Sequence, residues 1–393
     1  MNVLKQKLIF ISPIVILAVI TIFSLTMIPS VSPSPKELPI ALVNEDLGIS
    51  LPDQSQVNIG KQMIDKIQSP SVPGDVPPVK WISVDTKTEA QKGMKEKRYY
   101  AAFVIPKSFS ENQFSLQTPN PAFPELQLYI NQGMNTLAAN ASEQILNGIV
   151  EGLNEGVRTQ LLSTYSADGT RLTADQAAMI VEPIHKKVIN VNEIGTKSAN
   201  GNAPVSLFQP VWMASIGGAV LVFFALQKSF LTGRKQRAAG ISAAIGIGAV
   251  MAVLAGFWTT WFASTVIGLA IPSFSDTALF ISLAFFTYFL LISAVLSWLG
   301  MKGIPIFVLT LFFGLPLLAM PKEFMSSFYQ DWVNPWLPMR PMIDGLRDLL
   351  FFGKGFEWNH SVEALTFIAL GSLLLLCSSV FKKERRLTEQ QIG

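Results

Sequence analysis

The chain has 393 residues, 50% of them hydrophobic and only 15% charged, with a mean hydropathy of +0.39, against roughly 25% charged residues in an average soluble domain. That excludes an ordinary water-soluble globule, and Lys+Arg 30 against Asp+Glu 27 leaves a net charge of only +3, too small to draw a nucleic-acid partner. The lone cysteine, Cys377, lies in an apolar run, so any domain outside the cell is held by packing without disulfides.

Lys5 and Lys7 precede an uncharged run from Leu8 to Pro29. This run exceeds the roughly 7 to 15 apolar residues of a secretory signal, so it predicts an uncleaved membrane anchor near Leu8–Ile28, with a cleaved signal peptide as the alternative. Ordinary globular chemistry follows. Leu38–Val43, Val79–Val84, Tyr99–Ile105 and Leu126–Ile130 read as strands, and Val57–Ile67, Thr86–Lys97 and a stretch beginning at Pro106 read as helices. The alternation predicts a small α/β domain with a largely parallel sheet. Beyond Gly133 the pattern changes. Ile145, Ile149, Leu153, Val157 and Leu161 recur every four residues, and Ala178, Val181, Ile184, Val188 and Val191 follow the turn at Asp168-Gly169. Two long amphipathic helices forming a hairpin are expected, the second leading through Gly201-Asn202-Ala203-Pro204 toward the membrane.

Five more apolar runs approach the roughly 20 residues that a bilayer crossing needs: Phe208–Gln227, Ile241–Ala263, Ala278–Leu299, Ile304–Met320 and Leu365–Phe381. The fifth of the six, Ile304–Met320, is short and holds Pro305 and Pro316, which also fits a re-entrant or kinked segment. The expected architecture is therefore an α-helical polytopic membrane protein with about six transmembrane helices and an inserted extracytoplasmic α/β domain carrying the long helical hairpin. Its divisions fall at 1–28 (first span), 29–207 (extracytoplasmic domain), 208–381 (five spans) and 382–393 (cytoplasmic tail).

Basic residues orient the spans, because Lys and Arg near span ends resist translocation. Lys5 and Lys7, then Lys228, Arg234, Lys235 and Arg237, then Lys302, then Lys382, Lys383, Arg385 and Arg386 all fall on one side. The opposite loop, Pro321 to Glu363, offsets Lys322, Arg340, Arg347 and Lys354 with Glu323, Asp331, Asp344, Asp348, Glu357 and Glu363. A multi-pass protein of the cell membrane with both termini cytoplasmic is expected. Trp258, Trp261, Trp332, Trp336 and Trp358 fall where an outer aromatic belt belongs. Gly240, Ala244, Gly248, Ala252 and Gly256 recur every fourth residue on one helical face, a pattern that lets helices approach closely, within the chain or between subunits.

No Gly-x-x-x-x-Gly-Lys-Ser/Thr loop occurs, so ATP hydrolysis by that route is excluded. His185 and His360 are far apart, with no metal-ligand cluster beside either. No catalytic set emerges, no cofactor is expected, and the chain reads as no enzyme. The six spans hold no ionisable carboxylate or base, which disfavours proton-coupled transport and suits an apolar or amphipathic cargo.

Three segments resemble blocks of a known family. They are Pro39-Ile40-Ala41-Leu42-Val43-Asn44-Glu45-Asp46-Leu47-Gly48, Tyr99-Tyr100-Ala101-Ala102-Phe103-Val104-Ile105-Pro106-Lys107-Ser108-Phe109-Ser110, and Leu337-Pro338-Met339-Arg340-Pro341-Met342-Ile343-Asp344-Gly345-Leu346-Arg347. In this order they resemble the phage infection protein (YhgE/Pip) family, a branch of the type-2 ABC transporter permeases. The resemblance implies an export permease, acting as a homodimer with a separate ABC ATPase in the lipid bilayer. It marks Asn44, Glu45, Asp46, Gly48, Pro106 and Phe109 as family positions and Arg234, Lys235 and Arg237 as the candidate coupling loop. On physical grounds Asn44, Asp46 and Gly48 suit a turn at a strand end, and Ile-Pro-Lys-x-Phe suits a strand-to-helix junction. That loop is shorter than type-2 permeases usually present to an ATPase. The alternative is a non-transporting surface receptor, phage receptor-like, or an accessory protein of secretion or the envelope.

Overall fold

The structure is a computed structural model that describes residues 17, 34–51, 54–69, 76–118, 121–167, 174–229 and 233–382. The expected first span Leu8–Ile28 (apart from Leu17), the Asp168-Gly169 turn, and the tail cations Lys383, Arg385 and Arg386 lie outside the described residues. The chain divides into two compact units, a sheet unit of residues 32–194 and 320–326, and a helical unit made of the rest.

The sheet unit is built on strands β1 (Leu38–Asn44), β4 (Val79–Val84), β5 (Ala101–Ile105), β6 (Glu125–Asn131) and β7 (His185–Val191), in the order β4-β1-β5-β6-β7. A separate two-stranded ribbon pairs β2 (Ile49–Ser50) with β3 (Gln56–Val57). In the main sheet β1 runs parallel to β4 and β5, and β6 parallel to β7, while β5 and β6 are antiparallel. The nearly continuous apolar runs of β1 and β5 are what a strand covered on both faces requires. On one face Ile40, Leu42, Phe103, Ile105, Leu126 and Leu128 meet helices α1 (Ile59–Gln68), α3 (Phe109–Ser115) and α4 (Thr136–Ala167). On the other, Ala41, Val43, Ala102, Val104 and Tyr129 meet α2 (Lys87–Lys95) through Ala90 and Met94.

The long helix over Ile145–Leu161 is present: α4 runs for 32 residues, with Leu146, Val150 and Leu161 buried. Its expected partner is not a long helix. Only α5 (Ala174–Val181) is helical, and the chain then turns at Pro183 into β7, which carries Val188 and Val191. Two side chains one turn apart on α4 fix this change. Arg158 donates from Nε to the Ile180 carbonyl at 3.1 Å and from a terminal nitrogen to that of Val181 at 2.6 Å, closing the end of α5. Asn154 then holds both polar groups of the Ile184 backbone, at 2.7 and 3.0 Å. The spacing misled because steps of three and four satisfy a helix template, whether or not the chain goes on as a helix.

Among the described residues, the helical unit contains four stretches long and apolar enough to cross a membrane: Ala203–Lys228, Arg234–Ile267, Phe274–Ala319 and His360–Phe381. They comprise α6 (Ala203–Lys228), α7 (Arg234–Trp261) continued by a π turn over Phe262–Ile267, α8 (Phe274–Leu299) and α9 (Ile304–Ala319), and α11 (His360–Ser378). Helices α8 and α9 are separated by a 3-10 turn, Gly300–Gly303. The expected Gly201–Pro204 linker is partly helical, since Ala203 and Pro204 already belong to the first turn of α6. Between α9 and α11 lies the short amphipathic helix α10 (Arg340–Phe351), which buries Met342, Ile343, Leu346 and Leu349. Of the four stretches, the one that holds α8 is the most buried. Its Tyr288 packs against Trp212 and Phe208 of α6, with ring centroids 4.9 and 6.1 Å apart, and all three side chains are buried.

Candidate functional site

The positions that the resemblance marks, Asn44, Glu45, Asp46, Gly48, Pro106 and Phe109, lie at or just below the carboxyl edge of the sheet. Strand β1 is central there, with β4 on one side and β5 on the other, so helices leave to opposite faces. In open α/β sheets such a switch point is the usual ligand crevice. The segment after β1 runs alongside the β5–α3 junction, with Glu45 N–H donating to the Ile105 carbonyl at 2.9 Å and Leu47 N–H to that of Lys107 at 3.1 Å.

Asp46 is buried beneath the start of two helices. Its carboxylate accepts from the backbone N–H of Gly60 in α1 at 3.1 Å, from the backbone N–H of Ser110 in α3 at 2.9 Å, and from the Ser110 hydroxyl. Buried carboxylates are costly unless such donors surround them, and helix starts offer unsatisfied N–H groups. Asn44 Oδ1 accepts from the Asp46 N–H at 3.1 Å, and Asn58 Nδ2 donates to the Asp46 carbonyl at 2.7 Å while its Oδ1 caps α1 through Lys61 N–H. Glu45 serves a third helix, accepting from Lys87 N–H at the start of α2 at 3.0 Å. Two glycines make the fit possible. Gly48 has φ +69, and a Cβ on Gly60 would come within 2.8 Å of the Asp46 Cβ. Phe109 is buried in the core below, and Pro106 ends β5.

The crevice is thus filled by the chain's own carboxylates. Positive helix ends that would otherwise attract an anion are already satisfied, and the arrangement is a structural clasp. Asn58, Gly60, Ser110 and Lys87 are the partners that sequence reasoning missed. Only Asn58, an N-cap residue just ahead of a periodic stretch, carried a local signal.

The small-residue face of α7 packs within the chain. Ala244, Gly248, Ala252 and Gly256 are buried, Gly240 half-buried. A Cβ at Gly248 would overlap the Phe289 ring of α8, and one at Gly256 would overlap Ser282 and the Ala278 carbonyl. Such close approach is what small residues permit between membrane helices.

The candidate coupling residues are not in a free loop. Arg234, Lys235 and Arg237 belong to the first turn of α7, after Gly233. Arg237 donates to the Lys382 carbonyl at 2.7 Å, and Arg234 lies 5.6 Å from the Phe381 ring centroid. Lys382 in turn donates from Nζ to the Ser297 and Trp298 carbonyls at the end of α8, at 3.1 and 2.8 Å. His185 stacks on Phe123, and His360 opens α11 in solvent. Among the described residues no three His, Cys, Asp or Glu side chains are placed to hold a metal ion.

A family model described as ABC-2 family transporter protein matches residues 7–382, nearly the whole chain. The chain belongs to the ABC-2 transporter family. No curated protein and no solved structure matches it. ABC-2 permeases are membrane proteins of a transporter family, generally without enzymatic activity of their own, and generally work with a separate ATPase. The apolar helices α6 to α9 and α11 agree with that placement.

Proposed function

We propose that this ABC-2 protein is the membrane-spanning export subunit of a transporter, moving an apolar, amphipathic or peptide-like substrate outward with energy from a separate ATPase, and that it belongs to the YhgE/Pip branch. The observation that carries this reading is the family match across residues 7–382 together with the membrane-length apolar helices. The three YhgE/Pip-like blocks support the finer placement, and the absence of carboxylates and basic residues from the six expected spans favours an apolar cargo over an ion.

In this reading the chain crosses the bilayer six times as one half of a homodimer, with α8 and α9 as separate crossings. Both termini are cytoplasmic and the sheet unit is outside. The short strap 320–326 then acquires a role. It follows α9 directly in the chain yet belongs to the sheet unit, where Glu323 accepts from the Tyr100 hydroxyl at 2.8 Å and Phe324 packs near Leu38 and Ala138. Displacement of the sheet unit would pull on α9 through this strap.

The test is purification from native membranes in mild detergent. A nucleotide-binding subunit should accompany the chain, and ATP-dependent release of a lipid-like or peptide cargo should follow reconstitution. One observation favours a receptor or accessory protein instead: only five residues, 229–233, separate α6 from α7, a shorter connection than type-2 permeases usually present to an ATPase. If no ATPase accompanies the chain, and deletion of the sheet unit abolishes function while changes at Arg234 and Lys235 do not, that reading prevails. Topology is checked separately. A cysteine at Lys95, in a Cys377→Ser background, should react with an impermeant maleimide in intact cells, and one at Lys235 only after permeabilisation.

A further inference from the structure

Lys228 ends α6, Arg234, Lys235 and Arg237 begin α7, Lys302 lies in the turn after α8, and Lys382 follows α11. Contacts bring these ends together: Arg237 and Arg234 reach Lys382 and Phe381, Lys382 reaches Ser297 and Trp298, and Gly300 lies beside Phe223 of α6. The segments 226–237, 297–303 and 379–382 contain no Asp or Glu. Lys228, Arg234, Lys235 and Lys302 make no ion pair with a described residue.

Beside these cations the surface is apolar. Trp298, Leu299, Met301 and Phe381 are exposed, and Lys382 lies 6.0 Å from the Trp298 ring centroid. Depth decides what this combination meets. About 20 helical residues span the hydrocarbon core. Counting back about that number from Trp258, in the aromatic cluster at the far end of α7, reaches the neighbourhood of Ala238, which leaves Arg234, Lys235 and Arg237 within a turn of the hydrocarbon boundary. Lys228 and Phe208, and Trp298 and Ala278, stand at the same separation on α6 and α8. With only five residues between α6 and α7, the cations stay at helix-end depth instead of projecting into water.

We infer that this end of the helical unit binds the headgroups of anionic phospholipids, with Arg234, Lys235 and Lys302 as the phosphate-facing cations and Trp298 and Phe381 seated among the adjoining acyl chains. Cations that meet no carboxylate among the described residues, beside exposed rings at headgroup depth, match a lipid monolayer, which presents phosphate and hydrocarbon side by side.

The purified full chain is reconstituted in vesicles of equal parts phosphatidylcholine and phosphatidylglycerol, re-extracted in mild detergent, and its retained lipid identified by mass spectrometry. Phosphatidylglycerol should be enriched over its share in the vesicle, and high salt should reduce the enrichment. Each surface cation contributes about fivefold to binding, so R234Q/K235Q/K302Q should weaken phosphatidylglycerol retention on the order of a hundredfold while phosphatidylcholine retention and helical circular dichroism stay unchanged. Retention of the two lipids in vesicle proportion, or an unaltered preference in the triple variant, overturns the inference. So does displacement of the lipid by inorganic phosphate, which would mark a free-anion site, or release of a copurified ATPase by the triple variant with lipid preference intact, which would mark a protein-binding surface. The readout is lipid retention, so its failure leaves the export reading standing, and the converse holds.

Discussion

At the carboxyl edge of the sheet, Asp46 and Glu45 draw every donor they need from this chain: three helix starts and a serine hydroxyl surround them. At the basic end of the helical unit, Lys228, Arg234, Lys235 and Lys302 find no carboxylate among the described residues. The segment around α10 resembles the sheet in this respect, for Arg340 and Arg347 pair with Asp344, and Lys354 with Asp348 at 3.0 Å. Charge that is answered inside the chain builds structure. Charge left unanswered at a helix end faces something outside it, and at headgroup depth that is lipid phosphate.

The sharpest way to break the comparison is Asp46→Ala. It strands the Gly60 and Ser110 N–H groups and the Ser110 hydroxyl together, and should cost about 3 kcal/mol. Amide exchange over Ile40–Val43 should accelerate about a hundredfold if local opening follows that loss. Unchanged exchange would mean that the carboxylate is a bystander and the crevice is open to a ligand. The neighbouring helical packing has its own matched pair. Gly256→Ala forces a Cβ into Ser282 and the Ala278 carbonyl and should destabilise by about 2 kcal/mol. Gly246→Ala, on the same helix with open space around it, should be neutral or stabilising by a few tenths to about 1 kcal/mol. Thermal midpoints in detergent separate the two, and equal shifts would remove the close α7–α8 approach from the account.

Much of the fold could be read from local pattern. The continuous apolar runs at Leu38–Asn44 and Ala101–Ile105 mark strands covered on both sides, and the four-residue stripe on α4 marks its buried face. What escaped is long-range. Nothing near Asp46 in sequence announces Gly60 or Ser110, 14 and 64 residues away. Strand β7 escaped because the series Ala178, Val181, Ile184, Val188 and Val191, at intervals of three and four, satisfies a helix template until Asn154 and Arg158 of α4 impose the turn. The same holds for Glu323. In the sequence it is one carboxylate among six in a loop, and only folding sets it against Tyr100, 223 residues distant.

That pair gives a smaller and cleaner test. Tyr100→Phe removes the hydroxyl and leaves a buried Glu323 oxygen without that donor, at a cost of about 1.5 kcal/mol. Glu323→Gln keeps an acceptor for the hydroxyl and should cost less. If the strap couples the sheet unit to α9, Tyr100→Phe should also expose the 320–326 backbone to proteolysis before the rest of the chain opens. Loss of stability without that early cleavage would make the contact ordinary core packing.

The smallest effect is expected at Arg340. Its side chain is 40% exposed and lies 3.4 Å from Asp344 one turn along α10, which also serves Arg347, whose own side chain is 14% exposed. Pairs of this kind on exposed helix faces are worth about 0.3–0.5 kcal/mol, and Arg347 keeps Asp344 answered when Arg340 is lost. Arg340→Gln should therefore shift the thermal midpoint barely at all and leave the phosphatidylglycerol preference of the opposite end unchanged. A drop in that preference comparable to the Arg234/Lys235/Lys302 variant would show that lipid selection follows total charge instead of the end where Arg234, Lys235 and Lys302 meet no carboxylate among the described residues, and the contrast between the two ends would lose its meaning.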